Sequence, residues 1–208
     1  MTLVILAAGL GSRFGGDKQI SHVGPDGQML MEYAAYDAVR AGFDHIVFIL
    51  KEEMVDIVRR ELGDRIAHVA RVSYAIQNFA SLPTWYTVPE GRVKPFGTVH
   101  ALLCAAENID PEDCFATVNA DDYYGPEAYR RMAQLLRSLP DWGEAGMVTY
   151  CLGNTLSPNG GVTRGLCRIE DGMLQSIRET RNITVTSDGT PEANGELLDP
   201  EVPVSMNF

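Results

Sequence analysis

Residues 2–16 read TLVILAAGLGSRFGG, a short apolar run rich in β-branched side chains that passes directly into glycine-rich sequence. A strand buried on both faces needs no polar alternation. Residues 2–7 therefore predict a buried parallel strand, and residues 8–16 a tight loop at its carboxyl end. Downstream, Leu30, Tyr33, Ala34, Ala38 and Ala41 recur at helical spacing, which predicts a helix over 29–41 that Gly42 is placed to stop. A second strand at 45–50, HIVFIL, and a charged helix over 52–62 ending near Gly63 follow. Two strand–helix units with short connections predict an α/β fold with a parallel sheet.

The remaining chain extends this pattern. Residues 66–76 predict a further strand, and 77–96, with three prolines and no regular period, a long surface loop beside the site. A helix over 98–108 carries Val99, Leu102, Leu103 and Ala106 on one side, and leads into the strand 114–119, CFATVN, which ends in Ala120-Asp121-Asp122-Tyr123. A helix at 126–138 and a strand at 145–151 come next. Segments 161–169 and 173–178 then pair around Asp171-Gly172, a favourable turn dipeptide. Residues 186–196 are polar and predict a mobile loop, and 202–208, VPVSMNF, an apolar strand in which the chain stops.

Composition narrows the function. With 208 residues, 45% of them hydrophobic, the chain fits one large domain. Twenty-eight acidic against 17 basic residues give a net charge of −11, which repels polyanions and argues against nucleic-acid binding, while leaving room for a local phosphate site. Cys104, Cys114, Cys151 and Cys167 form no C-x-x-C pair and read as reduced residues in or near the core. With no secretory leader pattern and no apolar run long enough to span a bilayer, the expectation is a cytoplasmic protein without a membrane partner.

Open α/β sheets bind ligands at the carboxyl ends of their strands, which directs attention to the loop after the first strand and to Asp121. Gly9 and Gly11 let backbone amides approach phosphate oxygens without an intervening Cβ, and Arg13 and Lys18 can compensate charge that moves in phosphoryl transfer. The loop is not a Walker loop, since Asp17 separates Gly16 from Lys18, nor a dinucleotide fingerprint, since Phe14 stands where glycine is required. On local grounds alone the alternative is a strand-to-helix turn with both basic residues in solvent.

LAAGLGSRFGGDK, residues 6–18, resembles the amino-terminal signature of the sugar-phosphate nucleotidyltransferases, such as the glucose-1-phosphate thymidylyl- and uridylyltransferases. The resemblance implies a three-layer α/β/α, Rossmann-like (GT-A-like) fold with a mixed, mostly parallel central sheet. It implies donor-site roles for Ala8, Gly9, Gly11 and Ser12, and catalytic phosphate contacts from Arg13 and Lys18. The segment Arg92-Val-Lys94-Pro95-Phe-Gly97-Thr98 resembles the loop that holds the nucleotide base, with Lys94, Pro95, Gly97 and Thr98 as contacts and Thr98 able to cap the next helix. His100 reads as a structural hydrogen-bonding residue before an acid or base. Asp121 matches the aspartate that holds Mg2+, and an ion of that kind prefers carboxylate, phosphate and water oxygens. Asp122 either contacts substrate or holds the turn, and both aspartates could instead cap the helix near Pro126.

On the acceptor side, Gly160-Gly161-Val162-Thr163 resembles the floor of the acceptor pocket. Glu179 resembles a sugar-binding glutamate and Arg181 a phosphate contact, although Thr180-Arg181 stands where Lys-Pro is expected and Glu179 and Arg181 could simply solubilise an exposed edge. The expected activity is transfer of a nucleoside monophosphate from a nucleoside triphosphate to a sugar 1-phosphate with release of pyrophosphate. The alternatives are a non-sugar acceptor such as phosphocholine and a non-catalytic nucleotide-binding regulatory domain. The chain reads as one catalytic domain over 1–208, cut short before a second metal-binding carboxylate, with Asp199 a weak substitute. Self-association, donor base and acceptor stay open.

Overall fold

The computed structural model describes residues 1–9, 23–140 and 143–208. The chain divides into two compact units, Met1–Glu144 and Ala145–Phe208.

The first unit is built on a four-stranded parallel sheet in the order β3-β2-β1-β4, formed by β1 (Thr2–Leu6), β2 (His45–Leu50), β3 (Arg71–Ile76) and β4 (Phe115–Asn119). The apolar run that suggested a strand closed on both faces is one. Leu3, Val4 and Ile5 are fully buried, as is the whole of β2 apart from His45 at its start, which is nearly so. Side chains alternate across a strand, so Val4, Val47, Ile49 and Ala75 share one face, where they pack with Ala101 and Ala105 of α4 (Thr98–Ala105). Leu3, Ile5, Ile46 and Phe48 point by the same alternation to the other face, which is equally closed. Helix α1 (Leu30–Ala41) packs against β1 and against α5 (Pro126–Ser138). At an expected gain of about 2 kcal/mol per fully buried aliphatic side chain, this two-sided burial dominates the unit's stability.

The expected helix starts and stops are mostly present. Gly42 ends α1 in the left-handed conformation, and Pro126 opens α5 with Glu127 in the first turn and Arg137 in the last, each charge suited to the helix dipole at its end. The helix expected over 52–62 is different. It runs on as a 3-10 turn Glu52–Met54, α2 (Val55–Val58), a π turn Arg59–Gly63 and α3 (Asp64–Ile66). Gly63 does not stop it, because its backbone is helical; a Cβ there would lie 1.7 Å from the Tyr74 hydroxyl oxygen, so glycine admits the tyrosine that stacks on Phe48.

At the amino ends of the strands, buried His45 accepts a hydrogen bond from Arg71 at Nδ1 (2.9 Å) and meets Ser73 Oγ through Nε2 (2.8 Å). Arginine can only donate, so the ring proton sits on Nε2. Burial, and next the Arg71 guanidinium, hold the His45 pKa below its ordinary value.

The second unit is an antiparallel sheet in the order β5-β10-β6-β7-β8-β9. Its strands are β5 (Thr149–Cys151), β6 (Val162–Glu170), β7 (Met173–Val185), β8 (Pro191–Ala193), β9 (Glu196–Leu197) and β10 (Pro203–Ser205). Leu152, Leu166, Ile183, Ala193 and Val204 form its core. The Asp171-Gly172 turn is present, with positive φ at both residues, and joins Glu170 to Met173. The strand after it is far longer than expected, because residues past 178 still pair with β6 and then with β8. Residues 186–196 are also not a plain loop. Asn194 and Gly195, again both at positive φ, make a second hairpin between β8 and β9.

The α/β class with a helix-flanked parallel sheet is therefore observed, and the antiparallel strands form a sheet of their own. All four cysteines are free, Cys167 buried and the others half-buried. Among the described residues no helix is long and apolar enough to cross a membrane.

Candidate functional site

Parallel pairing brings the carboxyl ends of the strands to one edge. Leu6 lies opposite Asn119, and the ladder continues past the strands through Ala120 N to Leu6 O (3.2 Å), Ala7 N to Ile49 O (2.9 Å) and Gln77 N to Leu50 O (2.9 Å). The loop after β1, Asp121 after β4, Lys51 after β2 and Gln77 after β3 thus leave the sheet together. A cavity of about 400 Å3 opens there, lined by Ala8 and Gly9, by Lys51, Glu52 and Glu53, by Ile76, Gln77 and Asn78, and by Lys94, Pro95 and Phe96. Four expected donor-site residues, Ala8, Gly9, Lys94 and Pro95, line one space although Lys94 stands 85 positions after Gly9 in sequence.

The far wall is clamped although most of 77–96 is irregular. Gln77 Nε2 donates to Phe96 O (3.0 Å), Phe96 N donates to His100 Nδ1 (3.2 Å), and His100 Nε2 faces Asn78 O (3.0 Å). Since Nδ1 accepts, Nε2 carries the proton, and His100, 3% exposed, is spent on structure. The Phe96 ring meets Tyr86 at 5.5 Å, His100 at 5.7 Å and Phe79 at 5.9 Å, with the Arg92 guanidinium 4.0 Å from its centroid. Arg92 also donates to Lys94 O (3.0 Å) and Pro95 O (3.3 Å). Contacts of these kinds contribute about 0.5–1.5 kcal/mol each, enough together to fix the loop.

Gly97 is the N-cap of α4 and has no side-chain cap; Thr98 lies inside the helix, so it is not the cap its sequence position suggested. Among the described residues, a Cβ placed on Gly9 or Gly97 would meet nothing within 4 Å, and neither glycine has positive φ. Neither the described neighbours nor the backbone geometry there demands glycine. Open space at both positions is what close approach of a ligand to the backbone requires.

Asp121 is exposed in the turn that follows β4. Asp122 holds that turn: its Oδ2 accepts from Asn119 Nδ2 (2.9 Å) and faces Tyr124 Oη (3.5 Å), while Tyr124 Oη accepts from Asn119 N (3.0 Å). The carboxylate expected to contact substrate is thus engaged by its own loop. Among the described residues no group of three or more His, Cys, Asp and Glu could cage a metal ion. Asp121 suits an ion that completes its shell with phosphate and water oxygens. Gly11, Ser12, Arg13 and Lys18 lie outside the described residues.

In the second unit, a cavity of about 420 Å3 is lined by Arg178, Glu179, Thr180, Arg181, Ala193, Asn194, Glu196 and Leu198. Glu179 and Arg181 both line it but are paired with each other, Arg181 Nε to Glu179 Oε1 at 2.6 Å, and both are exposed. Gly161 does not line this cavity; a Cβ on it would lie 2.3 Å from Asn182 Oδ1, so glycine there admits a neighbouring side chain. Asp199 Oδ1 accepts from Glu201 N (2.9 Å) and closes a turn.

Sequence reasoning passed over Lys51, Glu52, Glu53 and Gln77. The signal was available: each follows the end of a correctly expected parallel strand, and ligands gather at such ends.

A profile of the MobA-like NTP transferase domain matches residues 3–158, from β1 to beyond β5. No curated protein matches the chain. Among solved structures, a UDP-glucose pyrophosphorylase complexed with UDP-glucose is similar in fold, with a TM-score of 0.51 and 18% identity, over 88% of this chain and 69% of that one. The profile covers most of the chain, including every strand that reaches the 400 Å3 cavity, and the chain belongs to the MobA-like NTP transferase family, a nucleotidyltransferase by its domain.

Proposed function

We propose that the chain transfers a nucleoside monophosphate from a nucleoside triphosphate to a sugar 1-phosphate, within a catalytic domain that includes residues 1–208. The observation that carries this reading is that Gly9 and residues 94–96 line one cavity at the carboxyl edge of the parallel sheet, the edge at which the turn bearing Asp121 follows β4. An acceptor phosphate oxygen attacks the α-phosphorus in line, a new P–O bond forms as the bond to the β-phosphate oxygen breaks, and pyrophosphate leaves. No side-chain nucleophile is needed, and the rate comes from alignment and charge stabilisation. Backbone at Gly9 approaches the donor, the clamped residues 94–96 and Gln77 border its base, and Arg13 and Lys18 meet the phosphates. Asp121 is the residue to hold Mg2+, which when bound supplies charge compensation for the triphosphate. The free cysteines suit a reducing compartment, and we place the enzyme in the cytoplasm.

The test is pyrophosphate release from a panel of triphosphates and phosphorylated acceptors. Asp121→Ala and Arg13→Ala should each lower turnover by at least about 100-fold with the melting temperature unchanged. Full turnover in both variants sinks the mechanism. One observation favours a second reading: Arg181 is tied to Glu179 where the sugar enzymes carry Lys-Pro, which suits an acceptor such as phosphocholine. Rapid turnover of a hexose phosphate with no activity on non-sugar acceptors rejects it.

A further inference from the structure

Resting on the reading of Asp121 as the residue that holds Mg2+, we propose that Asp122 is its positioning residue. The Asp122 carboxylate does not touch the ion; it fixes the turn that carries Asp121, with Asn119 as its partner. The two aspartates are adjacent and chemically alike, yet the fold treats them differently. Asp121 is exposed, whereas Asp122 is half-buried and turned back on the strand it follows.

Asn119, the last residue of β4, grips the turn twice. Its Nδ2 donates to Asp122 Oδ2 (2.9 Å), and its backbone N donates to Tyr124 Oη (3.0 Å), which itself donates to the same Oδ2 (3.5 Å). This circuit closes on a residue paired with Leu6 in the ladder, and the bond from Ala120 N to Leu6 O (3.2 Å) falls just before Asp121. On the far side, Tyr124 is 5% exposed and meets Tyr129 of α5 edge-on at 6.4 Å, and Tyr123 meets Tyr33 of α1 at 6.3 Å. Asp121 is thus bracketed by anchors at 119–120 and at 122–124. The N-cap of α5 is Gly125, so occupation of that position does not explain Asp122.

An ion that takes its other ligands from phosphate and water depends on where its protein carboxylate is held, and hydrogen-bonded neighbours of a ligand set that place. For this task Asp122 needs an acceptor oxygen and no charge, which an amide supplies equally well. A carboxylate that ligates the ion would lose, as an amide, the charge that holds it. The two roles therefore part at Asp122→Asn.

The experiment is calorimetric titration of the chain with GTP, UTP, dTTP, CTP and ATP, each with magnesium and with EDTA, and with melting temperatures as the check on folding. For the tightest triphosphate it yields the factor by which magnesium strengthens binding. Asp121→Ala should remove that factor. Asp122→Ala should cut it about tenfold while affinity in EDTA holds, Asn119→Ala should do the same, and the double variant should lose no more than either. Asp122→Asn should keep the parent factor. If Asp122→Ala unfolds, Asn119→Ala and Asp122→Asn carry the same contrast. Loss in Asp122→Asn as complete as in Asp121→Ala overturns the proposal, because Asp122 then gives its charge to the ion. A full factor in Asp122→Ala or Asn119→Ala also overturns it, as do equal losses with and without magnesium, which assign the pair to the fold alone. A parent that binds a triphosphate without gain from magnesium removes the metal reading of Asp121, and this proposal with it, while the donor site stands. Failure of every triphosphate to bind removes the donor-site reading as well.

Discussion

The carboxyl edge of the parallel sheet and the long hairpin of β6 and β7 offer chemistry in opposite ways. In the first unit both faces of the sheet are covered, so a polar side chain inside a strand would be buried, and functional groups emerge only where the strands stop. Gly9, Lys51, Gln77 and Asp121 are held in relation by ladder bonds made at Ala7, Leu50, Gln77 and Ala120. In the second unit, β7 is exposed along nearly its whole first half, so Glu179 and Arg181 stand on the strand itself and satisfy each other. A strand-end site inherits the rigidity of the core. Groups on an open hairpin can trade one partner for another.

That contrast can be broken most forcefully in the core. Ile49→Ala removes a fully buried side chain one turn of ladder behind the cavity and should cost about 2–5 kcal/mol in denaturant unfolding, whereas Met173→Ala on the exposed hairpin should stay within about 0.5 kcal/mol. Similar costs for the two would erase the distinction. Next in size, Gly9→Ala places a methyl group that meets no described residue within 4 Å, so stability should hold within about 1 kcal/mol while nucleotide affinity falls about tenfold. Unchanged affinity would show that the ligand does not approach this backbone.

A smaller effect is expected from pH. Arg71 faces His45, with Asp44, Asp113 and the Met1 ammonium nearby, and the folded pKa of His45 is depressed chiefly by burial. The unfolded chain therefore takes up the proton first. The stability His45 contributes is full above its ordinary value of about 6.5 and is lost as pH falls through the lower folded value. Unfolding midpoints measured from pH 7.5 to 5 should decline in the parent and flatten in His45→Gln; parallel profiles would assign the slope to other groups. The smallest change is expected from Arg181→Ala, whose exposed ion pair should contribute under about 0.5 kcal/mol, so that its effect appears in the KM of the acceptor and not in stability.

Much of this was legible in the chain. The strand 45–50 was read to the residue, and α1 and α5 to within one residue, because uninterrupted apolar runs and helical periodicity are local signals that the core reinforces. Asp171-Gly172 was read as a turn, while Asn194-Gly195, the same kind of dipeptide, was passed over inside a polar stretch too short to show strand alternation. Gly63 misled in the other direction. A glycine that looks like a helix stop is there for Tyr74, and nothing local announces a partner from another strand.

By itself the sequence determined the α/β class and the order of strands and helices along the chain, and it singled out the glycine and aspartate segments as candidates, since each follows from the side chains of a few consecutive residues. Only the tertiary structure decided that Gln77 and His100 clamp Phe96, that Asp122 serves its own turn, that Glu179 and Arg181 hold each other, and that Lys51 stands beside Gln77. Those facts depend on which strands become neighbours and in what register, a choice made by the burial of the whole core and not by any one segment of it.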